Sequence, residues 1–235
     1  MQAVILAGGL ATRLGTRTKD HPKALIPIAG RPFLAWQIEA LARCGFSDVL
    51  LCIGHFGEQI QDFLGDGAAF GVTVAYSQDG PTLLGTGGAL RRALDLLEAS
   101  FLITYGDSYL PFDYAAPLRD LDAHSEALGT MSVFRNDGAW AQSNSAVDGD
   151  RVITYEKGGD QRALHYIDYG AIALRRSVIA EQEGESAFAF ERVQSRLASS
   201  GKLRAYEARE RFYEIGSELG IRDLEAKLAQ SPAQP

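Results

Sequence analysis

The chain opens with the stretch that decides its fold, Val4-Ile5-Leu6-Ala7-Gly8-Gly9-Leu10-Ala11-Thr12-Arg13-Leu14, followed by Pro22-Lys23-Ala24-Leu25. A short apolar strand leads directly into paired glycines, which let backbone N–H groups close on an anion without a Cβ in the way. A hydroxyl and an arginine follow at once, and a lysine comes ten residues after the arginine. The two cations are suited to spreading charge over a triphosphate. The stretch therefore predicts a nucleotide site at the mouth of a parallel sheet.

Strand and helix patterns alternate through the first half of the chain. Apolar strands are predicted over residues 4–7, 48–53, 72–76 and 101–104, and helices over 34–41, 58–64 and 87–97. The second half is richer in strands, which are predicted over 129–134, 151–155, 166–174 and 203–206, with helices over 190–199 and 218–230. This order predicts an α/β protein of a single domain, with a Rossmann-like, doubly wound sheet that is mixed but mostly parallel.

The composition is that of an ordinary globular protein and excludes several classes of partner. The 235 residues carry a formal net charge of −7, which argues against DNA or RNA, although a few placed cations suffice for a nucleotide. We find no basic leader with a cleavage site and no apolar run of about 18 residues, so we expect a cytoplasmic protein without membrane contact. Cys44 and Cys52 lie in apolar segments and are expected to be core thiols, because their spacing fits no zinc site.

The opening motif resembles that of the nucleoside-triphosphate transferases that make nucleotide-sugars. Their pattern is Leu-Ala-Gly-Gly-x-Gly-Thr-Arg-Leu followed by Pro-Lys-x-Leu, and Ala11 here replaces the third glycine. The resemblance extends from residue 1 to about residue 226 and implies a GT-A-like nucleotidyltransferase fold. It implies that Arg13 holds the triphosphate and that Lys23 neutralises the α-phosphate and the incoming sugar phosphate. Fixed cations of this kind lower the repulsion between two phosphates in a site shielded from water.

Two acidic residues are candidates for holding a metal ion. Asp107 stands in Tyr105-Gly106-Asp107-Ser108, directly after a predicted strand, where open α/β sheets bind ligands. The segment resembles the family's Gly-Asp-Thr/Ser motif, whose aspartate ligates magnesium. Glu214 stands where the family has Asp-Ile-Gly-Thr, whose aspartate is a metal ligand in many members. The resemblance therefore implies Asp107 and Glu214 as ligands of Mg²⁺, which needs only one or two carboxylates when phosphates complete its shell.

Further matches concern the nucleotide. Gln78 falls where the family often has a glutamine that pairs with the base, and its amide offers both a donor and an acceptor. The glycine-rich turn at 85–88 precedes a predicted helix, whose exposed N–H groups are suited to base or ribose contacts. The residues expected to bind the nucleotide are Leu6, Ala7, Gly8, Gly9, Thr12, Arg13, Gln78, Gly85, Thr86 and Gly87.

The sugar phosphate is expected in the second half of the chain. Glu156 and Lys157 resemble the family's Glu-Lys pair, in which the glutamate takes sugar hydroxyls and the lysine takes the phosphate. Asp168-Tyr169-Gly170 falls where many members have Asn-Ala-Gly, and the two replacements leave the identity of the sugar open. The residues expected to bind the sugar phosphate are Lys23, Glu156, Lys157, Asp168 and Gly170.

These residues predict a sugar-1-phosphate nucleotidyltransferase that uses Mg²⁺, with Arg13, Lys23 and Asp107 as catalytic residues. The substrates implied are a nucleoside triphosphate and a sugar 1-phosphate. Residues 30–34 and 84–89 resemble heptose- or mannose-type guanylyltransferases, which favours GTP. We expect a catalytic domain at 1–230, made of a nucleotide-binding half at 1–125 and a sugar-phosphate-binding half at 126–230, with a frayed tail at 231–235. The protein is expected to be a monomer or a homodimer.

Three alternatives remain open. A uridylyl- or cytidylyltransferase acting on another phosphorylated small molecule fits the same motifs. A catalytically silent nucleotide-sensing subunit is the alternative of a different class, although such a protein has no need of Arg13, Lys23 and Asp107 together. A molybdopterin-type nucleotidyltransferase shares the paired glycines, but the long gap to Pro22-Lys23 and the Glu156-Lys157 pair fit it less well.

Overall fold

The computed structural model describes residues 1–9, 19–80, 82–159, 162–182 and 187–230. Thr12, Arg13 and the tail at 231–235 lie outside the described residues, so the predictions made for them stay predictions. The strands are β1 (Gln2–Leu6), β2 (Pro27–Ile28), β3 (Arg31–Pro32), β4 (Asp48–Ile53), β5 (Thr73–Gln78), β6 (Ser100–Tyr105), β7 (Ser108–Tyr109), β8 (Gly129–Arg135), β9 (Ser145–Asp148), β10 (Arg151–Tyr155), β11 (Tyr166–Arg175), β12 (Leu203–Ala208) and β13 (Tyr213–Glu214). The helices are α1 (Phe33–Arg43), α2 (Gly57–Leu64), α3 (Gly85–Arg92), α4 (Ala116–Ala123), α5 (Arg176–Ala180), α6 (Glu191–Ser199) and α7 (Glu218–Gln230).

Within the described residues, nine strands form the main sheet, in the order β5-β4-β1-β6-β11-β8-β12-β10-β9. The first four are parallel neighbours, as is the pair β8 and β12. Strand β11 runs antiparallel to β6 and β8, and β10 runs antiparallel to β12 and β9. All strands of this sheet except β10 and β11 therefore point the same way, which confirms the predicted mixed, mostly parallel sheet.

Both faces of the central strand β1 are covered, as its continuous apolar sequence requires. Ala3 and Ile5 lie in one hydrophobic cluster with α1 and α2, whereas Val4 and Leu6 lie in a second cluster with α3 and α6. Alternate residues of a strand point to opposite faces, so an all-apolar strand needs helices on both sides. This arrangement confirms the doubly wound fold class.

The helix predicted over residues 87–97 was wrong in its length. Helix α3 ends at Arg92, and a 3-10 turn at Leu94–Leu96 follows. The side chain of Gln2 holds the segment that follows this turn, because its Nε2 donates to the carbonyl of Leu96 at 2.8 Å and its Oε1 accepts from the N–H of Glu98 at 2.9 Å. These bonds turn the chain into β6 beside β1. Helices α4 and α5 were not predicted at all.

Two short strand pairs outside the main sheet position the loops above it. Strands β2 and β3 form a hairpin, and β7 pairs with β13 from the end of the chain. Helix α7 packs on β2 through a small apolar cluster that includes Ile28, Ile221 and Leu224. In the part of the chain that the structure describes, no helix has the length and apolarity needed to cross a membrane.

Candidate active site

The site is built where four parallel strands end side by side. Strands β5, β4, β1 and β6 are neighbours and share one direction, so the residues that follow them lie along one edge of the sheet. Backbone bonds continue the register past the strand ends, since Ala7 donates its N–H to the carbonyl of Cys52 and Gly106 donates to that of Leu6, both at 2.9 Å. Asp79 likewise donates its N–H to the carbonyl of Ile53 at 2.9 Å.

The glycine loop after β1 touches the end of β4 at van der Waals distance. A Cβ placed on Gly54 would lie 2.8 Å from the carbonyl oxygen of Gly8 and 3.2 Å from its Cα. A Cβ on Gly8 would lie 3.3 Å from Oδ2 of Asp79, whereas a Cβ on Gly9 would meet no atom of the described residues within 4 Å. Gly54 is therefore needed for the path of the loop. It was not predicted, although a glycine directly after a buried parallel strand is a recognisable signal.

A first cavity, of about 360 Å³, lies over these strand ends. The predicted nucleotide and catalytic residues that line it are Leu6, Ala7, Gly8, Gly9, Lys23, Gly85, Thr86 and Asp107. Lining residues that were not predicted include Asp79, Leu83, Ala89, Tyr105 and Gly216. Most of the predicted nucleotide set within the described residues is thus brought together.

The structure places two predicted nucleotide residues elsewhere. Gln78 is exposed, and it does not line the first cavity. Gly87 is buried, and its N–H donates to the carbonyl of Phe188 at 2.9 Å. That N–H group was expected to be free for a ligand, but the neighbouring segment already uses it. A Cβ on Gly87 would come within 2.2 Å of the Phe188 ring, so close packing is a sufficient reason for this glycine.

A second cavity, of about 210 Å³, adjoins the first and shares Tyr105 and Asp107 with it. The predicted residues Lys157, Asp168, Gly170 and Glu214 line it, together with Asn144, Tyr155 and Phe212, which were not predicted. Glu156 is exposed and does not line this cavity; its carboxylate lies over Gly159 in the adjacent turn. Lys157 lies 3.6 Å from the carboxylate of Glu191.

The carboxylate of Asp168 is held by donors on both oxygens. Oδ1 accepts from the N–H of Gly170 at 2.9 Å, and Oδ2 accepts from Nε2 of Gln194 at 2.8 Å and from the Tyr155 hydroxyl at 3.3 Å. Burial nevertheless raises the pKa of Asp168, against the opposing effects of these bonds and of Lys157. Gly170 has φ of +92°, so its bond to Asp168 also stabilises a backbone conformation that favours glycine. Asp168 thus lines the second cavity and also fixes the backbone of Gly170, another residue of its lining.

The two cavities meet at an ion pair. Nζ of Lys23 lies 2.5 Å from Oδ2 of Asp107, and both side chains are largely shielded, with 14% and 32% of their surfaces exposed. Lys23 begins a 3-10 turn after Pro22, which brings it from the loop to the end of β6. A cation and a carboxylate therefore stand side by side at the boundary, where Asp107 lines both cavities and Lys23 lines the first.

The pairing of β7 with β13 brings Glu214 to the second cavity, near the Lys23–Asp107 ion pair. It stands opposite Ser108, and the N–H of Ile215 donates to the carbonyl of Asp107 at 3.0 Å. Asp107 and Glu214 both line the second cavity, and carboxylate oxygens are the ligands that Mg²⁺ prefers. Within the described ranges no group of three or more His, Cys, Asp or Glu residues is arranged to hold a metal ion. The donor set fits a magnesium ion whose other ligands are substrate phosphates and water.

Asp79 is an acidic group of the site that was not predicted from the sequence. It directly follows β5, lies inside the first cavity and is only 7% exposed. Burial raises the pKa of its carboxyl group, while the N–H of Leu84 and the charge of Arg92 act in the opposite direction. The rule that ligands bind at the carboxyl ends of parallel strands applies to this residue as it does to Asp107.

We compared the chain with known protein families and with curated proteins. Residues 3–195 match the model of the MobA-like NTP transferase domain. A D-glycero-alpha-D-manno-heptose 1-phosphate guanylyltransferase of Campylobacter jejuni is 30% identical over 217 residues, which cover 92% of this chain and 95% of that protein. An N-acetylmuramate alpha-1-phosphate uridylyltransferase of Neisseria meningitidis is 38% identical over 117 residues. That match spans 49% of this chain and only 51% of the relative's length.

A solved structure agrees over the whole fold. The crystal structure of HddC from Yersinia pseudotuberculosis complexed with GMP-PN superposes with a TM-score of 0.80 at 26% identity, over 97% of this chain and 99% of that one. The family model covers well over half of the chain, and the Campylobacter relative is matched along nearly its whole length. These matches confirm the resemblance seen in the opening motif. The chain belongs to the family of MobA-like NTP transferases.

Proposed function

We propose that this protein transfers a nucleoside monophosphate from a nucleoside triphosphate to a sugar 1-phosphate, giving a nucleotide-diphosphate sugar and pyrophosphate. The observation that carries the proposal is the junction of two cavities at Lys23 and Asp107. One cavity has a glycine loop on its wall and the other has polar groups suited to a sugar. The nucleotide-binding half at 1–125 and the sugar-phosphate-binding half at 126–230 correspond to these cavities in the proposal.

The reaction is an in-line displacement at the α-phosphorus. A phosphate oxygen of the sugar 1-phosphate forms the new P–O bond, and the bond to the β-phosphate oxygen breaks as pyrophosphate leaves. No general base is required, because the attacking phosphate is already ionised near neutral pH. Lys23 offsets the repulsion between the two phosphates in a partly shielded site, where a fixed charge is most effective. Arg13 is proposed to stabilise the leaving pyrophosphate.

Asp107 and Glu214 are the residues that would hold Mg²⁺ in this proposal. The ion, when bound, supplies Lewis-acid stabilisation of charge on the phosphate oxygens. Lys23 pairs with Asp107, so this lysine offsets the negative charge of the carboxylate. We propose GTP as the nucleotide, supported by the guanylyltransferase among the relatives and by the GMP-PN complex of the structural neighbour.

Release of pyrophosphate tests the proposal. The wild-type protein is assayed over a grid of nucleoside triphosphates and sugar 1-phosphates, with Mg²⁺ and with chelator. Asp107→Asn is expected to lower turnover by about 10²-fold or more, because the substitution removes a charge at the reaction centre. Asp148→Asn, an exposed substitution on β9, is the matched control. Nucleotide binding without pyrophosphate release in any combination would instead support a nucleotide-sensing subunit.

The result of the grid also decides between nucleotides. A preference for UTP would favour a uridylyltransferase, the activity named for the Neisseria relative. Wild-type turnover in Asp107→Asn would contradict the role given to this carboxylate. Thermal unfolding of the variant shows whether any loss of activity reflects loss of the fold.

A further inference from the structure

Arg211, which lines neither cavity, joins three segments of the chain. Its guanidinium carbon Cζ lies 4.3 Å from the centre of the Trp140 ring and 4.4 Å from the centre of the Tyr213 ring. Nη2 of the same side chain donates to Oδ2 of Asp223 at 2.7 Å. Arg211 therefore contacts the loop after β8, strand β13 and helix α7 at once.

The loop that carries Trp140 is ordered by its own hydrogen bonds and leads to the second cavity. The side chain of Asn136 is buried, and its Oδ1 accepts from the N–H of Trp140 at 3.1 Å. Its Nδ2 donates to the carbonyl of Ala141 at 2.6 Å. The loop ends at Asn144, which lines the second cavity. Arg211 thus contacts a loop whose position is tied to that cavity.

Strand β13 needs support from outside its own pairing. It consists of Tyr213 and Glu214, which pair with the two residues of β7. A two-stranded hairpin is marginally stable in isolation, and this pair is shorter than an ordinary hairpin. Phe212 and Glu214 line the second cavity on either side of Tyr213, whose ring Arg211 contacts. A contact that fixes Tyr213 therefore also fixes the two lining residues next to it in the chain.

The chemistry of arginine fits this position. Its guanidinium is planar and always charged, so its faces can stack on aromatic rings while its N–H groups donate in their own plane. Tryptophan and tyrosine rings attract a cation placed over their faces. The ion pair with Asp223 contributes less, because 40% of the Asp223 side chain is exposed to solvent. The contacts with Trp140 and Tyr213 are therefore the main part of the interaction.

The structure assigns to Arg211 a positioning role: through Trp140 and Tyr213 it fixes Phe212 and Glu214 in the lining of the second cavity. The use of that cavity for a sugar phosphate rests on the proposed function. The first cavity is lined by other segments of the chain. Loss of Arg211 is therefore expected to weaken the use of the sugar 1-phosphate more than the use of the nucleoside triphosphate.

Hydrogen exchange tests the inference without turnover. The N–H of Ile215 donates to the carbonyl of Asp107 at 3.0 Å, so its exchange reports whether β13 stays beside the second cavity. Exchange is measured by mass spectrometry on peptides that cover residues 212–216. In Arg211→Gln we expect the protected amides of this segment to exchange about 5- to 30-fold faster, as for the loss of two cation–π contacts. Wild-type exchange in this variant would overturn the inference.

Steady-state kinetics provide the second test, with saturating Mg²⁺ and the sugar 1-phosphate that gives the highest turnover. Arg211→Gln is expected to raise the KM for the sugar 1-phosphate about 5- to 30-fold and to leave the KM for the nucleoside triphosphate unchanged. Arg209→Gln, an exposed substitution two residues earlier, is the matched control and should keep both values.

Trp140 supplies variants that are expected to fold, because 59% of this residue is exposed. Trp140→Ala removes one of the two ring contacts and is expected to raise the KM for the sugar 1-phosphate, as Arg211→Gln does. Trp140→Phe keeps an aromatic face for Arg211 and is expected to restore the wild-type value. A KM that is the same in Trp140→Ala, Trp140→Phe and wild type would contradict the inference.

The outcomes separate this inference from the proposed function. If no combination of substrates releases pyrophosphate, the proposed function fails, and hydrogen exchange in Arg211→Gln alone decides whether Arg211 positions β13. If the enzyme is active and the two KM values of Arg211→Gln keep their wild-type ratio, the inference is wrong and the function stands. A purely structural role predicts a lower melting temperature with that ratio unchanged, and this result would also overturn the inference.

Discussion

Gly54→Ala tests how closely the glycine loop depends on the end of β4. The added Cβ would lie 2.8 Å from the carbonyl oxygen of Gly8, and an ordinary contact begins near 3.4 Å, so one backbone must move by about 0.6 Å. The atom in the way belongs to the backbone, which cannot rotate aside as a side chain can. Overpacking of this kind costs about 1–3 kcal/mol. The loss of chain entropy in the unfolded state returns about 0.4–1 kcal/mol.

The midpoints of these two ranges leave a net destabilisation of about 1.3 kcal/mol, which lowers the melting temperature by about 3–5 °C in a domain of this size. The same shift displaces Gly8, which lines the first cavity, so nucleotide affinity is expected to fall roughly tenfold. Urea unfolding, thermal melting and nucleotide calorimetry measure both effects.

Gly9→Ala is the matched control for stability. Gly9 is in the same loop, but it has no positive φ, and no atom of the described residues lies within 4 Å of the position that an added methyl group would take. We expect the stability of this variant to stay close to wild type. If Gly54→Ala also kept the wild-type melting temperature and nucleotide affinity, the close approach of the two loops would not constrain the site, and the reasoning would be refuted.

Two further predictions concern packing and charge beside the cavities. Gly87→Ala should destabilise the protein despite the better helix propensity of alanine, because the new Cβ would lie 2.2 Å from the Phe188 ring. In a double-mutant cycle measured by urea unfolding, Phe188→Ala should reduce the destabilisation caused by Gly87→Ala. Additive effects of the two substitutions would contradict the clash. Burial raises the pKa of Asp168, so the pKa of this carboxyl group is higher in the folded protein than in the unfolded chain. The contribution of Asp168 to the free energy of unfolding is therefore present at low pH and is lost as the pH rises through the raised pKa. The stability of wild type relative to Asp168→Asn should therefore increase as the pH is lowered toward the usual aspartate range, and a pH-independent difference would refute this linkage.

Much of the fold could be predicted because the apolar pattern of each strand reflects its burial. Strands β4 and β10 have the predicted bounds, and helix α7 does as well. The predicted helix over 87–97 was wrong in its length: residues 96 and 98, at and beyond its predicted end, are instead held by Gln2, a residue more than ninety positions away. A local pattern contains no information about such a partner.

The candidate site was predicted in its parts but not in its arrangement. Asp107 and Lys23 were recognised from their motifs, yet only the structure places their side chains 2.5 Å apart. Glu156 and Lys157 were predicted as a pair, but only Lys157 lines the second cavity. Both residues follow the end of β10, and Lys157 lies in the turn after it, so the dipeptide motif alone does not tell which side chain faces the cavity.

By itself, the sequence determined the class of the protein. It specifies a parallel sheet with an anion site through an apolar strand, paired glycines and spaced cations. This was possible because backbone conformation and charge are local properties. The tertiary structure decided which groups share that site. It placed Asp79 in the cavity and left Gln78 exposed, and it required Gly54 where two backbones touch. These outcomes depend on the order of strands in the sheet, and strand order is set by packing between segments that are far apart in the chain.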